Sequence, residues 1–158
     1  DYNESIKILK YIFKENKNNY DLIFSLGTAL YFTGENEEAI NYLTQSLLLK
    51  SDDYNTYYYL GLSYNQLDLN KKSLEAYKKC LEINPDFSLA HYEIGKIYEL
   101  ILDDNKAIEH FKLAKRTSSF DDLNYRLGMI YFKVFLALPV LIFLIHLGPL
   151  MYKSKQKN

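Results

Sequence analysis

Apolar and polar residues follow one another along the chain with the spacing of amphipathic helices, and the pattern itself recurs. Four segments carry a large aliphatic residue followed by glycine, and these glycines lie 34, 34 and 33 residues apart. The pairs are Leu26-Gly27, Leu60-Gly61, Ile94-Gly95 and Leu127-Gly128. A constant period of this length is typical of arrays in which each helix pair buries its apolar face against its neighbours. The pattern therefore predicts stacked helix pairs.

Numbering one unit from Tyr54 as position 1 shows how a pair would pack. Small residues stand at positions 8, 20 and 27, where two helices can approach closely, and large apolar residues stand at positions 7, 11 and 24. In the central unit these residues are, in chain order, Leu60, Gly61, Tyr64, Ser73, Tyr77 and Cys80. The same frame predicts a half unit at 2–19, complete units at 20–53, 54–87 and 88–120, and the first helix of a fifth unit at 121–133.

Polar residues predict where the helices begin. Asn36, Asn70 and Asp104 each stand three residues before the small position 20, where a side-chain oxygen could cap the second helix of a pair. Asp53 and Asp86 are expected to do the same for first helices, and Pro85 is expected to stop one unit from running into the next.

The chain resembles the tetratricopeptide repeat family, whose 34-residue helix-turn-helix unit shares this pattern of small and large positions. The resemblance covers residues 2 to about 133. It departs from the family pattern at position 32, where only Pro85 keeps the proline, and at position 4, where Ile23, His91 and Asn124 stand. The resemblance implies an all-α fold, a right-handed superhelix of antiparallel helix pairs. The composition after residue 133 adds a hydrophobic C-terminal helix to this prediction. It also implies binding to other proteins.

In this family position 5 of each first helix faces the concave groove, and here every unit has an aromatic ring there. Positions 9 and 12 follow on the same face. We expect a partner peptide or helix to contact the rings, with selectivity from Asn65, Lys96 and Glu99. A tight superhelix could instead bury position 5 between adjacent first helices, and that alternative stays open. The predicted groove residues are Phe24, Thr28, Tyr31, Tyr58, Leu62, Asn65, Tyr92, Lys96, Glu99, Tyr125 and Met129.

Residues 134–152 contain no charged side chain. A helix of this length is roughly 28 Å long, about the thickness of the hydrocarbon core of a bilayer. The segment therefore predicts a single transmembrane span, followed by a basic tail at 153–158. The alternative is the second helix of the fifth unit, but positions 20 and 27 would then be Val140 and Leu147 where small residues are needed. Basic residues flank the segment on both sides, so the charge pattern favours neither orientation.

The overall composition excludes several classes of function. The formal net charge is −1, from 19 basic and 20 acidic residues, which lacks the basic excess typical of nucleic-acid binding. The three histidines have no partner at metal-ligand spacing, and the six glycines are too scattered for a phosphate-binding loop. Cys80 occupies a small position and is interpreted as a structural thiol. The sequence thus predicts no catalytic site, no metal and no cofactor.

Taken together, these features predict a membrane-tethered adaptor that binds a partner protein in its groove. A structural subunit that self-associates by stacking its repeats into a membrane-associated assembly is the alternative. Because the chain begins with a polar, helix-like segment rather than with methionine, it is expected to be a piece of a longer protein.

Overall fold

The structure, a computed structural model, describes residues 2–117 and 122–136, and both ranges are built from helices and turns with no strand. The predicted all-α fold is therefore confirmed for these residues. The helices are α1 (Tyr2–Glu15), α2 (Tyr20–Thr33), α3 (Asn36–Leu49), α4 (Tyr54–Gln66), α5 (Asn70–Ile83), α6 (Ser88–Leu100) and α7 (Asp104–Thr117). Residues 123–136 are also helical. The chain forms two compact units, Asp1–Ser118 and Ser119–Asn158.

Within the first unit, α2 pairs with α3, α4 with α5, and α6 with α7, and each pair also packs on the next. A glycine stands at each of the three crossings. A Cβ atom on Gly61 would lie 2.3 Å from Cε1 of Tyr77, and one on Gly95 would lie 2.5 Å from Cδ1 of Phe111. At Gly27 the corresponding distance, to Cγ of Leu43, is 2.7 Å. Glycine is therefore required for the close approach of the two helices.

The second helix of each pair buries the same three positions completely. At positions 20, 24 and 27 every residue is 0% exposed, and these residues are Ala39, Leu43, Ser46, Ser73, Tyr77, Cys80, Ala107, Phe111 and Ala114. The hydroxyl of Ser73 is satisfied within its pair, because Oγ donates a hydrogen bond of 2.8 Å to the carbonyl of Gly61. The small and large positions read from the sequence thus form the interior of each helix pair.

The turn inside each pair has a left-handed residue at position 15, which the sequence pattern did not predict. Gly34, Asp68 and Leu102 occupy it with φ values of 86°, 57° and 61°. Glycine adopts this conformation at no steric cost, and aspartate tolerates it better than a bulky residue does. Leu102 is therefore the strained member of the three.

The expected caps are confirmed at one helix and wrong at others. Asp53 caps α4, since its carboxylate accepts a hydrogen bond of 2.7 Å from the backbone N–H of Thr56. Asn36 and Asn70 are instead the first residues of α3 and α5, and the residues ahead of them make no side-chain cap. The side chain of Asn36 donates to the carbonyl of Gly34 at 3.1 Å. The side chain of Asn36 thus stabilises the preceding turn and does not cap α3.

The same correction applies around α6 and α7. Asp86 does not cap α6, whose N-cap residue is Phe87, but forms an ion pair with Arg116. Asp104 is itself the first residue of α7, and the carboxylate of Asp103 before it accepts a hydrogen bond of 3.3 Å from the N–H of Lys106. Unpredicted Asn19 caps α2 by accepting from Leu22 at 3.1 Å.

The predicted membrane span is not confirmed. Of residues 134–152, only 134–136 are described, and they are exposed at the end of helix 123–136. Residues 137–152 and the basic tail at 153–158 lie outside the described residues. In the two described ranges, no helix combines the length and the apolar character needed to cross a bilayer.

Candidate functional site

The predicted groove residues lie on first helices, and the structure leaves all of them at least partly accessible. α2 carries Phe24, Thr28 and Tyr31, α4 carries Tyr58, Leu62 and Asn65, and α6 carries Tyr92, Lys96 and Glu99. None of these nine is buried. Tyr125 and Met129 belong to the second unit, where both are exposed on helix 123–136.

Rings from α2 and α4 contact one another through Tyr59. Its ring centroid lies 5.9 Å from that of Phe24, 5.8 Å from Tyr31, 6.0 Å from Phe32 and 5.6 Å from Tyr58. All four contacts are edge-on, the arrangement that the charge distribution of aromatic rings favours. We call Phe24, Tyr31, Phe32, Tyr58 and Tyr59 the aromatic surface.

Two members of the aromatic surface were missed by the sequence reasoning. Phe32 stands at repeat position 13 and Tyr59 at position 6, each one residue from a position that was chosen. Phe32 is 51% exposed, and Tyr2 of α1 stacks on it with centroids 5.2 Å apart. The run Tyr57-Tyr58-Tyr59 was the available signal, since only one of three consecutive rings on a helix can face the pair interior directly.

The aromatic surface borders the core and is not wholly free of it. Tyr58 also contacts Phe87, with centroids 5.1 Å apart, and Tyr77, with centroids 6.0 Å apart. Burial raises the pKa of the Tyr58 hydroxyl well above its usual value. The ring of Tyr58 therefore supports the packing of α4 in addition to belonging to the aromatic surface.

A buried carboxylate lies close to these rings. Glu93 of α6 is almost fully buried, and its Oε2 lies 2.8 Å from Nζ of Lys96. Burial, and after it the negative charge of Glu93, raises the pKa of the Tyr31 and Tyr58 hydroxyls. Lys96 also lies over the ring of Tyr92, 5.2 Å from the centroid. Lys96, predicted as a selectivity residue, is thus already engaged by two neighbours.

A polar pocket of about 370 Å³ adjoins the aromatic surface at the end of α2. The Nδ2 group of Asn36 donates to Gly34, which leaves Oδ1 facing away from that bond. Oδ1 is buried and has no hydrogen-bond partner among the residues that the structure describes. Because Oδ1 is buried, it is an unsatisfied acceptor inside the protein and not a group open to a ligand in the pocket. Its lining residues are Tyr31, Phe32, Thr33, Gly34, Asn36 and Gln66.

A second, larger pocket of about 620 Å³ lies where α4 meets α5, and none of the predicted groove residues lines it. Its floor is formed by Tyr57, Leu60, Tyr64 and Ala76, and lysines and glutamates of α5 form its rim. One of them, Lys72, lies over the ring of Tyr64 at 5.7 Å.

The described residues show little sign of reactive chemistry. In residues 2–117 and 122–136, no three His, Cys, Asp or Glu side chains are placed to hold a metal ion. Burial raises the pKa of the Cys80 thiol to about 12, so the thiol stays protonated near neutral pH and is a poor nucleophile.

Comparisons with known proteins agree with the repeat pattern. Residues 20–53 and 54–87 each match a model of the tetratricopeptide repeat. A stretch of 65 residues, 41% of this chain, is 31% identical to Tetratricopeptide repeat protein 37 of Xenopus laevis, of which it covers 4%. The chain therefore corresponds to a small part of that relative.

Solved structures with low sequence identity share the fold. A crystal structure of MamA superposes with a TM-score of 0.80 at 21% identity, covering 99% of this chain and 92% of that one. For the Arabidopsis OM64 TPR domain the TM-score is 0.67 at 15% identity, over 70% and 93% of the two chains. Residues 20–87 therefore match two consecutive tetratricopeptide repeats, and the relative supports the same family.

Proposed function

We propose that this chain is a protein-interaction scaffold that binds a segment of a partner polypeptide on its aromatic surface. The supporting observation is that five rings of α2 and α4 contact one another and still keep exposed edges or faces. Tetratricopeptide repeats are in general non-enzymatic scaffolds, and residues 20–87 match two models of this repeat.

Aromatic rings suit this role because they bury a large apolar area and lose little side-chain freedom on binding. Neighbouring rings also restrain each other here, so Phe32 and Tyr31, with centroids 5.2 Å apart, are held in place before a ligand arrives. Rings fixed in advance reduce the entropic cost of association.

Polar groups beside the rings would orient the bound segment. The adjoining pocket, lined in part by Thr33, Asn36 and Gln66, suits polar groups of the partner. The Glu93–Lys96 pair is electrically balanced, so we expect the segment to be mainly apolar or aromatic rather than strongly charged. Asn65, which is partly exposed on α4, remains the predicted polar selectivity residue.

The test uses peptides selected from a random 12-residue library on the immobilised full chain, with affinity then measured by fluorescence anisotropy. Phe32→Ser and Tyr31→Ser are each expected to weaken binding at least tenfold, because each removes a ring from the contact. Leu48→Ser is the matched control, since Leu48 of α3 is 82% exposed and lies outside the aromatic surface. Circular dichroism of every variant checks that helicity is kept.

Two results would count against the proposal. One is a selected peptide that binds the Phe32 and Tyr31 variants as tightly as the original chain. The other is an equal loss of affinity in the Leu48 variant, which would indicate non-specific adhesion to exposed apolar side chains.

Tethering to a membrane through residues 134–152 is a further part of the proposal, and it is supported by the uncharged composition of that segment. Expressed in cells, the full chain is expected to stay in the membrane fraction after carbonate extraction, whereas a chain ending at Lys133 is expected in the supernatant. Recovery of the full chain in the supernatant would instead favour a helix that packs on protein.

A further inference from the structure

Repeat position 23 has a ring in two of the helix pairs and a methyl group in the third. It is Tyr42 in α3, Ala76 in α5 and His110 in α7. Ala76 lines the pocket of about 620 Å³ between α4 and α5, and this volume lies within the roughly 300–1,000 Å³ of typical ligand pockets. We call this cavity the Ala76 pocket. It lies at the position where the neighbouring pairs have a ring.

The α6–α7 pair shows which residues a ring at position 23 contacts. The ring centroid of His110 lies 5.2 Å from that of His91 and 5.8 Å from that of Tyr98. These two partners are positions 4 and 11 of the same unit. In α3, Tyr42 packs against a buried cluster that includes Leu30, which is position 11 of its own unit. A ring at position 23 therefore packs on the first helix of its own pair.

In the α4–α5 pair the same two positions are rings, but α5 brings no ring to them. Positions 4 and 11 are Tyr57 and Tyr64, and both are only partly buried and line the pocket. The lysine at position 19 is also the same in the two pairs. Lys72 lies 5.7 Å from the ring centroid of Tyr64, and Lys106 lies 5.1 Å from that of Tyr98. The small residue at position 23 is therefore what opens the pocket.

The rim of the pocket is more basic than acidic. It consists of three lysines and two glutamates of α5. Nζ of Lys79 lies 2.6 Å from Oε2 of Glu82, so these two charges neutralise each other. Lys72 and Lys78 then stand against Glu75 alone. Exposed charges of this kind add little affinity but favour a ligand of the opposite sign. The rim thus suits a ring that has carboxylates beside it.

We propose that the Ala76 pocket binds one aromatic side chain of a partner polypeptide in which acidic residues flank that ring. The ring packs on Tyr57 and Tyr64, as the position-23 ring of α7 packs on positions 4 and 11 of its own unit. The flanking carboxylates face the lysines of the rim. The residues that line this pocket include none of the aromatic surface, so the two sites are separate.

The chain contains no tryptophan, so a tryptophan in a synthetic peptide reports binding directly through its fluorescence. The probe is a short glycine-serine peptide with a central Asp-Trp-Asp, and the full chain is titrated into it. We expect saturable binding with a Kd of roughly 0.1–1 mM, because a single side chain supplies most of the contact. A matched peptide with Lys-Trp-Lys should bind about threefold more weakly, since its charges have the same sign as the rim.

Filling the pocket from within is the main variant test. Ala76→Tyr introduces the residue type that α3 has at position 23, so we expect the ring to occupy the pocket and the chain to stay folded. This variant should bind the Asp-Trp-Asp peptide at least tenfold more weakly, with a melting temperature that is unchanged or higher. Ala76→Ser is the matched control, because serine is small and leaves the pocket open, and its affinity should equal that of the original chain. Circular dichroism checks the helicity of each variant.

Two further variants test the rim and the location of the peptide. A double variant, Lys72→Glu with Lys78→Glu, changes only exposed side chains and does not depend on packing at position 23. It should bind the Lys-Trp-Lys peptide more tightly than the Asp-Trp-Asp peptide. Phe32→Ser, in the aromatic surface, should leave the affinity for the Asp-Trp-Asp peptide unchanged.

Four results would each overturn the proposal. They are no saturable binding of the Asp-Trp-Asp peptide, equal affinities of the original chain and folded Ala76→Tyr, and no change of peptide preference in the double lysine variant. The fourth is loss of binding in Phe32→Ser with binding kept in Ala76→Tyr, because the peptide would then lie on the aromatic surface. If free indole-3-acetate bound more tightly than the peptide, the pocket would be a site for a small aromatic acid and not for a polypeptide.

Discussion

The α4–α5 and α6–α7 pairs are built on the same crossing but differ in their polar groups. Both bring a glycine against an aromatic ring, and both have a non-glycine residue in left-handed conformation at the turn. The first pair buries the hydroxyl of Tyr77, and the second buries Phe111, which has none. The second pair instead contains two contacting histidines. The crossing therefore defines the repeat, while the remaining positions differ between units.

The donor and acceptor in the hydrogen bond between His91 and His110 can be derived from their neighbours. Nε2 of His91 lies 2.9 Å from the carbonyl of Pro85, which only accepts, so Nε2 must carry a hydrogen. Nδ1 of neutral His91 then accepts from Nδ1 of His110, 3.0 Å away. A positive charge on His110 would lie beside His91 and near the positive charge of Lys78.

The largest expected effect comes from closing the glycine gap. Gly61→Ala and Gly95→Ala should each lower the free energy of unfolding by about 2–3 kcal/mol, because Cβ would overlap a buried ring that has no room to move. Urea unfolding followed by circular dichroism measures this. If the two pairs share one crossing, the two losses should be similar.

Gly128→Ala is the matched control for that experiment. A Cβ on Gly128 meets no atom within 4 Å among the described residues. Alanine in a helix is favoured over glycine by about 1 kcal/mol, so this variant should be neutral or slightly stabilised. A loss like that of Gly61→Ala would show that the cost comes from the backbone and not from the crossing.

The next largest effect is expected from lowering the pH, which should destabilise the α6–α7 pair through His110. Burial lowers the pKa of His110 to about 4 from a usual value of 6.5. The unfolded chain therefore takes up this proton at a higher pH than the folded chain does. Stability is complete above pH 6.5 and falls as the pH decreases towards 4, by about 1–2 kcal/mol for a partly buried ring.

The measurement is the free energy of unfolding in urea between pH 7.5 and 4.5, for the original chain and for His110→Phe. Carboxylates titrate in both proteins, so their contribution cancels in the difference. The free energy of unfolding of the original chain, relative to that of His110→Phe, should decrease as the pH falls. A difference that does not change with pH would contradict the assignment of the low pKa to His110.

Tyr77→Phe should make position 24 of the α4–α5 pair equivalent to that of the α6–α7 pair. The Tyr77 hydroxyl is buried without a hydrogen-bond partner in the described part of the chain. Replacing it by the residue type found at Phe111 removes the cost of a buried unsatisfied group, and stability is expected to rise by about 1 kcal/mol. A destabilised variant, measured by urea unfolding, would mean that the hydroxyl is bonded after all.

Most of the fold was predictable because the repeat places its constraints at fixed positions. Glycine, small and large residues recur where two helices cross, and these side chains are read directly from the sequence, as at Gly61 and Tyr77. The capping residues were predicted less well. Asn36 and Asp53 are both residue types that cap, and only the path of the turn decides which one accepts a backbone hydrogen bond.

The candidate site was predicted only in part. The repeat positions predicted Tyr58 and Tyr31, which do belong to the aromatic surface. They did not predict Tyr59, through which the rings contact one another. The position of a ring is decided by how far its side chain reaches and by how closely α2 approaches α4, and neither is encoded in spacing. Glu93 was missed for the same reason, because its burial beside the tyrosines depends on packing between helix pairs.

The smallest expected effect concerns the turns. Leu102 has a φ of 61° at the position that glycine occupies as Gly34, with a φ of 86°. A leucine in the left-handed conformation destabilises the folded chain by about 1–2 kcal/mol. Glycine removes this strain, but its greater freedom in the unfolded chain offsets about 0.4–1 kcal/mol of the gain in stability. Leu102→Gly should therefore stabilise the chain by about 0.5 kcal/mol, and Gly34→Ala should destabilise it. Both are measured by urea unfolding. Loss of stability in Leu102→Gly would mean that the exposed leucine side chain contributes more than the strain of its backbone costs, and the turns of the two pairs would then not be equivalent.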